Sequence, residues 1–296
     1  MTLRHEEGRF AGHGLELYWQ GWRDDAAPVR GTLVLVHGLG DHSGLYPTLS
    51  AHFAPRGWRV LSFDQRGNGR SPGQRAWVAR WTEFRADLDA FLRFAHRGLA
   101  APGPFVVLGN SLGALVALDW ALATADVEQA PPAGPGVAGL VLVAAPLGPL
   151  GVPPLLLGLA RVLSRVWPRF SLETGMDLGG LARDPQIAQA VLGDPLFHRR
   201  GTARLATETE AAIARVHADA ARLALPILLL HGDADRMVPP DGSRAFARRL
   251  AAAGHADVTL REVPGGYHAL LVDRGHEEIL DGIAEWMEAR ARAARV

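Results

Sequence analysis

The sequence contains no cysteine among its 296 residues. A thiol nucleophile, a disulfide framework and a cysteine-ligated metal site are therefore excluded. Basic and acidic residues number 31 each, so no excess of charge suggests nucleic acid as a partner. No motif indicates a metal, a nucleotide or an organic cofactor, and we expect none.

We also expect neither a secretory leader nor an uninterrupted membrane-spanning run. The first ten residues are charged rather than apolar, which predicts a cytoplasmic protein. Residues 130–160 carry no charged side chain, but prolines interrupt them, among them those at positions 146, 149, 153 and 154. Because a continuous helix cannot pass through these prolines, we expect a loop, a buried strand, a proline-rich connection and the start of an apolar helix.

The sequence does contain a regular alternation of strand and helix patterns. Apolar alternation up to Trp19 predicts an opening hairpin. Short β-rich runs then predict strands near residues 32–36, 58–63, 105–108, 139–145, 227–230 and 258–263. Helical patterns separate them, and Thr82 is the expected N-cap of one helix. This alternation predicts an α/β fold with a mostly parallel eight-stranded sheet and helices on both faces.

Residues 147–222 break the alternation, because they hold apolar helical patterns and no convincing strand. We expect them to form a helical cap inserted into a core made of residues 1–146 and 223–296. Such an insertion would lie above the carboxyl ends of the strands, where open α/β sheets bind their ligands.

A serine between a predicted strand and a predicted helix carries the strongest chemical signal. The strand Phe105–Leu108 leads into Gly109-Asn110-Ser111-Leu112-Gly113, and an apolar helix follows. This order is typical of the nucleophile elbow of a hydrolase, in which a sharp turn exposes the serine hydroxyl. Glycines on both sides avoid the collision that a Cβ would cause. Ser111 is therefore the candidate nucleophile.

A second Gly-x-Ser-x-Gly pattern surrounds Ser71. The residue after an acyl-transfer serine must supply a backbone N–H to the oxyanion, and Pro72 has none. No strand pattern leads into Gly69 either. We therefore interpret Ser71 as a loop residue.

The base and the acid of a serine hydrolase are expected after later strands, in the order Ser, acid, His. His268 follows the last predicted strand on a glycine-rich loop, and it is the candidate base. His276, at the start of the final helix, is the weaker alternative. Asp233 and Asp235 both follow the preceding strand, and their spacing alone does not choose between them.

The oxyanion of such a site needs two backbone N–H donors. Leu112 follows the nucleophile, and Leu39 lies on the loop after the third strand, so we expect their N–H groups to be the donors. His37 and His231 end strands but precede glycines in tight turns. We interpret these two histidines as structural or oxyanion-loop residues.

Five motifs, spread over nearly the whole chain, point to the same family. They are His37-Gly38-Leu39-Gly40-Asp41-His42-Ser43-Gly44, Asp64-Gln65-Arg66-Gly67-Asn68-Gly69-Arg70-Ser71, Asp194-Pro195-Leu196, His231-Gly232-Asp233-Ala234-Asp235-Arg236 and Gly266-Tyr267-His268. Together they resemble the monoacylglycerol lipase and lysophospholipase group of α/β-hydrolases. Two positions depart from that pattern: Asn110 stands where relatives often carry His, and Ala114 where they often carry Gly. Both lie beside the nucleophile, where we expect them to affect the fit of the leaving group.

The resemblance implies a serine hydrolase of lipid-type carboxylic esters. It implies a triad of Ser111, Asp235 and His268, an acyl-enzyme intermediate, and cleavage of a monoacylglycerol to a fatty acid and glycerol. It also makes Asp233 a loop residue. A lysophospholipase, a small-ester carboxylesterase, an aminopeptidase and a non-catalytic binding protein on the same scaffold remain alternatives.

The cap is the expected source of acyl specificity. Five of its residues are candidates for lining an acyl channel: Leu155, Leu156, Leu159, Val162 and Leu163. The alternative is that they pack the cap onto the core. With Arg161 and Arg165 on its polar side, the same helix is expected to make a peripheral contact with a membrane surface.

Overall fold

The computed structural model describes residues 3–125, 136–151, 154–175 and 177–293. The loop predicted at residues 130–136 lies outside the described residues except for Gly136. The strands are β1 (Leu3–Ala11), β2 (Glu16–Asp24), β3 (Gly31–Val36), β4 (Trp58–Phe63), β5 (Phe105–Asn110), β6 (Val137–Val143), β7 (Ser171–Glu173), β8 (Arg200–Thr202), β9 (Ile227–Gly232) and β10 (Val258–Val263). The helices are α1 (Pro47–Phe53), α2 (Thr82–Arg93), α3 (Leu112–Ala125), α4 (Pro154–Val166), α5 (Pro185–Gly193), α6 (Ala203–Ala218), α7 (Asp241–Ala252) and α8 (His276–Ala293).

Eight of the strands form one sheet in the order β1-β2-β4-β3-β5-β6-β9-β10. The opening hairpin β1–β2 is antiparallel and joins β4 in antiparallel register. All the remaining neighbours are parallel. The predicted mostly parallel eight-stranded sheet of an α/β-hydrolase fold is confirmed. Because parallel strands end at the same edge, the loops after β3, β5, β9 and β10 are brought together there.

The strands β3, β4, β5 and β9 are buried along their whole length because both of their faces are covered. In β3, Val34 and Val36 join a cluster with residues of α2, α3 and α7. Leu33 and Leu35, which alternate with them, join a second cluster with residues of α1 and α8. Helices therefore cover both faces of the sheet, as predicted.

Two local predictions are wrong. Thr82 is the first residue of α2 rather than its N-cap, and the cap position is held by Trp81 without a side-chain hydrogen bond. The segment 147–222 also contains two strands, because β7 and β8 pair antiparallel in a small separate sheet. Each has only three residues, which is too short for an alternating pattern to reveal.

The elements from α4 to α6 are inserted between β6 and β9, and α6 is fastened to the core. Arg215 on α6 contacts the buried Asp119 of α3 at 2.7 Å, and Glu208 accepts a hydrogen bond from the backbone N–H of Trp81. In contrast, the described side-chain bonds of α4 reach α6, through Arg161 and Ser164. None of the described helices is long and apolar enough to cross a membrane.

Candidate active site

Ser111 occupies the turn between β5 and α3. Its φ of 52° lies in the left-handed region, which a non-glycine residue enters only when the surrounding structure holds it there. The N–H of Ser111 donates to the carbonyl of Val143 on the neighbouring strand at 2.8 Å. A Cβ on Gly109 would lie 2.5 Å from the Cα of Ala114, and one on Gly113 would overlap the carbonyl of Val36. The two glycines therefore let the helix start directly against the sheet.

Ser71, the serine of the second motif, is part of the scaffold. Its hydroxyl donates to the carbonyl of Asp64 at 2.5 Å and accepts the N–H of Tyr18 at 2.9 Å. The side chain is buried. Ser71 therefore ties the loop after β4 to β2, which agrees with its interpretation as a loop residue.

His268 and Asp235 are in direct contact. Nδ1 of His268 donates to Oδ2 of Asp235 at 2.7 Å, and both residues are buried, at 5% and 4% exposure. The backbone of the His268 loop is held by the cap, because Ala269 donates its N–H to Leu181 at 2.8 Å. The hydrogen bond at Nδ1 leaves Nε2 as the nitrogen that can accept a proton from a hydroxyl.

The Asp235 carboxylate is held in its charged form. Burial works to raise its pKa, but hydrogen bonds from His231 and His268 and the backbone N–H of Val238 lower it far more. Oδ1 accepts the N–H groups of Met237 and Val238, each at 2.9 Å. The net pKa lies well below the usual range for an aspartate. Asp235 therefore remains an anion at any pH at which the protein works, and it can orient and stabilise an imidazolium.

The two alternatives weighed for the acid and the base lie elsewhere. Asp233 is exposed, and its Oδ1 accepts the N–H of Gly265 at 2.6 Å, which closes a loop. The ring of His276 contacts the carbonyl of Asp273 at the start of α8. Neither residue contacts the His268–Asp235 pair in the described hydrogen bonds.

His231 is a residue whose link to the acid the sequence analysis missed. Its Nδ1 contacts the hydroxyl of Ser243 and its Nε2 the carbonyl of Val238, both at 2.8 Å. Nε2 also lies 3.4 Å from Oδ2 of Asp235. The only sequence signal was a histidine at the end of a strand, four positions before the aspartate. The contact depends on the turn that brings residues 235–238 back over the end of β9.

The loop after β3 is built around a buried neutral histidine. Nδ1 of His37 contacts the carbonyl of Gly38 at 2.8 Å, and Nε2 accepts the N–H of Gln65 at 2.9 Å. Burial lowers the pKa of His37, which suits a ring with one proton. Because a peptide unit is planar and trans, holding the carbonyl of Gly38 on one side directs the N–H of Leu39 to the other.

Leu39 and Leu112, the two predicted oxyanion donors, flank the nucleophile in different ways. A Cβ on Gly38 would lie 3.1 Å from the Cβ of Ser111, so the loop that carries Leu39 passes directly against the nucleophile. Leu112 is the first residue of α3. The N–H at this position has no acceptor inside its helix and lies at the positive end of the helix dipole.

Asn110 connects the nucleophile turn to the same loop. Its amide donates to the hydroxyl of Tyr46 at 3.0 Å, which donates to Oδ2 of Asp41 at 2.6 Å. Burial and Asp41 raise the pKa of Tyr46 well above its ordinary value, so it remains a donor. Ala114, the other departure from the family pattern, is fully buried on α3. The structure thus gives both residues internal contacts.

The apolar residues of α4 do not pack the cap onto the core. Four of the five acyl-channel candidates are more than half exposed: Leu155 at 84%, Leu156 at 52%, Leu159 at 52% and Val162 at 55%. With Gly158 they form one continuous exposed apolar surface along α4. Leu163 is half-buried. The packing alternative is therefore wrong for these four residues.

Within the described ranges, no group of three or more His, Asp or Glu side chains is placed to hold a metal ion. The polar side chains of His268 and Asn110 instead have protein partners, in Asp235 and Tyr46 respectively. The chemistry that this arrangement offers is proton transfer and nucleophilic attack by protein side chains.

Comparison with known proteins identifies the family of this chain. The model of the Hydrolase_4 family, described as serine aminopeptidase, S33, matches residues 27–275. The monoacylglycerol lipase of Mycolicibacterium smegmatis is 30% identical over 297 aligned residues, which cover 97% of this chain and 98% of that protein. The human monoglyceride lipase is 29% identical, over 87% of this chain and 81% of that protein. The crystal structure of Paleococcus ferrophilus monoacylglycerol lipase matches with a TM-score of 0.78 at 31% identity, over 98% of this chain and 100% of that one. The resemblance expected from the motifs is confirmed.

Proposed function

The chain belongs to the Hydrolase_4 family, and from that premise we propose that this carboxylic ester hydrolase cleaves a monoacylglycerol into a fatty acid and glycerol. The observation that carries the proposal is the buried His268–Asp235 hydrogen bond, at the sheet edge where Ser111 occupies a left-handed turn. The similarity to monoacylglycerol lipases over nearly the whole chain supports this substrate.

The proposed reaction uses Ser111, His268 and Asp235 as a triad. Nε2 of His268 takes the hydroxyl proton as Oγ of Ser111 bonds to the ester carbonyl carbon, and the carbonyl electrons move onto oxygen. Asp235 stabilises the imidazolium that forms. The imidazolium then protonates the leaving alcohol as the C–O bond breaks. Water, activated by the same imidazole, attacks the acyl-enzyme and releases the acid.

The proposed oxyanion hole consists of the N–H groups of Leu39 and Leu112. The contact of His37 with the Gly38 carbonyl supports the direction of the first donor, and the helix N-terminus supports the second. Loss of one such donor typically costs about 10²–10³ in rate.

The cap, residues 147–222, is proposed to bind the acyl chain, while residues 1–146 and 223–296 carry the chemistry. The exposed surface of Leu155, Leu156, Leu159 and Val162 has the apolar character that an acyl chain needs. Because these side chains are exposed, we also propose that α4 makes a peripheral contact with a lipid surface, with Arg165 exposed on the same helix.

A panel of substrates tests the proposed substrate. A monoacylglycerol, a diacylglycerol and a lysophospholipid share one acyl chain, and a short-chain p-nitrophenyl ester and an aminoacyl p-nitroanilide complete the panel. We expect kcat/KM for the monoacylglycerol to exceed each of the others by about tenfold or more. A larger value for the lysophospholipid or the short ester would replace this substrate by that one. Cleavage of the anilide alone would favour the aminopeptidase alternative.

A fluorophosphonate probe separates an enzyme from a non-catalytic protein on the same scaffold. We expect the wild type to be labelled at Ser111. Absence of labelling would contradict the triad.

Vesicle flotation tests the lipid contact. Serine replaces Leu159, which is 52% exposed on α4, and as a control Leu192, which is 45% exposed on α5. We expect only Leu159→Ser to reduce flotation with vesicles. Equal behaviour of the two variants would contradict a contact through α4.

A further inference from the structure

The cap segment Asp194–His198 lies directly against the loop that carries Leu39. The backbone N–H of His198 donates to the carbonyl of Gly40 at 3.1 Å. A Cβ on Gly40 would overlap the carbonyl oxygen of His198, and Gly40 has a φ of 78°. Two independent constraints therefore require glycine at position 40, and one of them is the cap.

A side chain of the same segment reaches the next part of the loop. Oδ2 of Asp194 lies 3.2 Å from Nε2 of the buried His42. Nδ1 of His42 accepts the N–H of Gly44 at 3.1 Å, so it is the other ring nitrogen, Nε2, that faces the carboxylate. Nε2 has no hydrogen-bond partner, and its contact with the carboxylate is electrostatic. The other oxygen, Oδ1, accepts the N–H of Leu196 at 2.8 Å, which fixes the carboxylate.

The segment is itself anchored in the core. Nδ1 of His198 accepts the N–H of Arg200 at 3.2 Å, and Nε2 donates to Oδ1 of Asn68 at 2.9 Å. Asn68 is buried in the loop after β4, and its amide nitrogen donates to the carbonyl of Arg66. These contacts therefore tie residues 194–198 to the core and not to α4.

The loop of residues 38–42 is thus held from two sides. On the side of the sheet, Tyr46 holds Asp41 and is itself held by Asn110. On the side of the cap, His198 holds Gly40 and Asp194 contacts His42. The side chain of Leu39, whose N–H must point at the oxyanion, packs against the core. The side-chain contacts that fix the loop around it are made by its neighbours.

We propose that Asp194 and His198 are positioning residues of the oxyanion hole, so that this segment of the cap is a working part of the catalytic centre. The proposal rests on the proposed role of Leu39. An oxyanion donor acts through its placement, and an error of about 1 Å in a reacting geometry can cost about 100-fold in rate. Removing one of the contacts on the cap side leaves the others in place, so a smaller effect is expected.

The test compares Asp194→Asn with Asp184→Asn as a matched control. Both aspartates lie in the cap, with side chains 26% and 27% exposed. Both accept the N–H of the residue two positions later, Leu196 and Gln186, and asparagine keeps that bond. Only Asp194 faces the oxyanion loop, since Asp184 pairs with Arg274.

Steady-state hydrolysis of a monoacylglycerol and inhibition by an alkylboronic acid are measured for each variant. The boronate forms a tetrahedral adduct on the nucleophile, so its binding reports the oxyanion hole. We expect Asp194→Asn to lower kcat about tenfold with KM changed by less than about twofold, and to weaken the boronate by a similar factor. We expect kcat, KM and boronate affinity of Asp184→Asn each to stay within about twofold of the wild type.

Variants at His198 provide the second measurement. Glutamine can place an N–H donor near Oδ1 of Asn68, whereas alanine cannot. We expect His198→Ala to lower kcat and boronate affinity together, and His198→Gln to restore part of both. Thermal melts establish that each variant is folded at the assay temperature.

Three results would overturn the proposal. They are a kcat for Asp194→Asn equal to that of the wild type, a rise in KM without loss of kcat, and equal losses for Asp194→Asn and Asp184→Asn. Ser111→Ala is assayed in parallel. If it keeps turnover, the proposed function fails; if it is inactive while Asp194→Asn is fully active, only the positioning role fails.

Discussion

The imidazole of His268 and the carboxylate of Asp235 meet at 2.7 Å although 33 residues separate them in the chain. They meet because β9 and β10 are parallel neighbours whose carboxyl ends coincide. Asp233 follows the same strand but faces Gly265. Asp233 and Asp235 lie only two positions apart, and only Asp235 contacts the imidazole of His268.

Replacing the two aspartates separately tests this distinction. We expect Asp235→Asn to lower kcat by about 10⁴-fold, because an amide cannot stabilise the imidazolium and favours the wrong tautomer. Asp233→Asn keeps an oxygen for the N–H of Gly265, and we expect kcat to change less than about threefold. Ester hydrolysis under saturating substrate measures both. Similar losses in the two variants would contradict the assignment of the acid.

Replacing the serines of the two Gly-x-Ser-x-Gly motifs is expected to affect different properties, activity for Ser111 and stability for Ser71. Ser111→Ala should lower kcat by at least about 10⁴-fold and leave the melting temperature nearly unchanged. Ser71→Ala removes a buried hydroxyl with two hydrogen bonds, and we expect it to lower the free energy of unfolding by about 1–3 kcal/mol. Denaturant titration and fluorophosphonate labelling distinguish the two. Labelling that survives Ser111→Ala would place the nucleophile elsewhere.

Two helical glycines offer a contrast in packing. A Cβ at Gly113 on α3 would overlap the backbone of Val36, whereas one at Gly158 on α4 would meet nothing within 4 Å. We expect Gly113→Ala to destabilise the protein by about 3 kcal/mol. Gly158→Ala should stabilise it by about 0.5–1 kcal/mol through helix propensity. Chemical denaturation measures both, and a neutral Gly113→Ala would contradict the close contact between α3 and the sheet.

Stability should depend on pH through His198. Burial and then the charges of Arg75 and Arg200 lower its pKa from 6.5 to about 4. Between these two values the unfolded chain binds the proton and the folded protein does not, so the free energy of unfolding falls as the pH drops through this window. His198→Gln has no such proton to bind. Its stability deficit relative to the wild type should therefore be smaller at about pH 5 than at about pH 7.5.

Urea titrations at the two pH values measure this difference. A deficit that stays constant or grows towards acid pH would show that His198 is not held neutral by its surroundings.

The core strands and the order of the fold were predictable from local pattern alone. The predicted strands at residues 58–63 and 258–263 agree with β4 and β10, because short β-rich runs between turn residues leave little choice of position. Helices on both faces of the sheet also follow from central strands in which apolar residues predominate. The geometry at Ser111 follows from the fixed order of strand, glycine, serine and glycine.

Other features depend on contacts between distant segments, which a local pattern does not contain. His231 reaches Asp235 only after a turn folds back. Asp194 lay in a motif recognised from the sequence, but its partner His42 comes from another part of the chain. The exposure of Leu155 could not be derived either, because an apolar helical pattern is the same whether the apolar face packs against a core or is exposed.

The strands on either side of the cap, β6 and β9, pair directly, from Leu140 with Ile227 to Val143 with Leu230. The sheet is therefore continuous across the junction, and the length of the insertion does not affect its registry. Such a junction would let the inserted segment differ between relatives without disturbing the pairing of β6 with β9. Under the positioning role proposed above, an inserted segment without counterparts of Asp194 and His198 would leave the oxyanion loop without its contacts on the cap side.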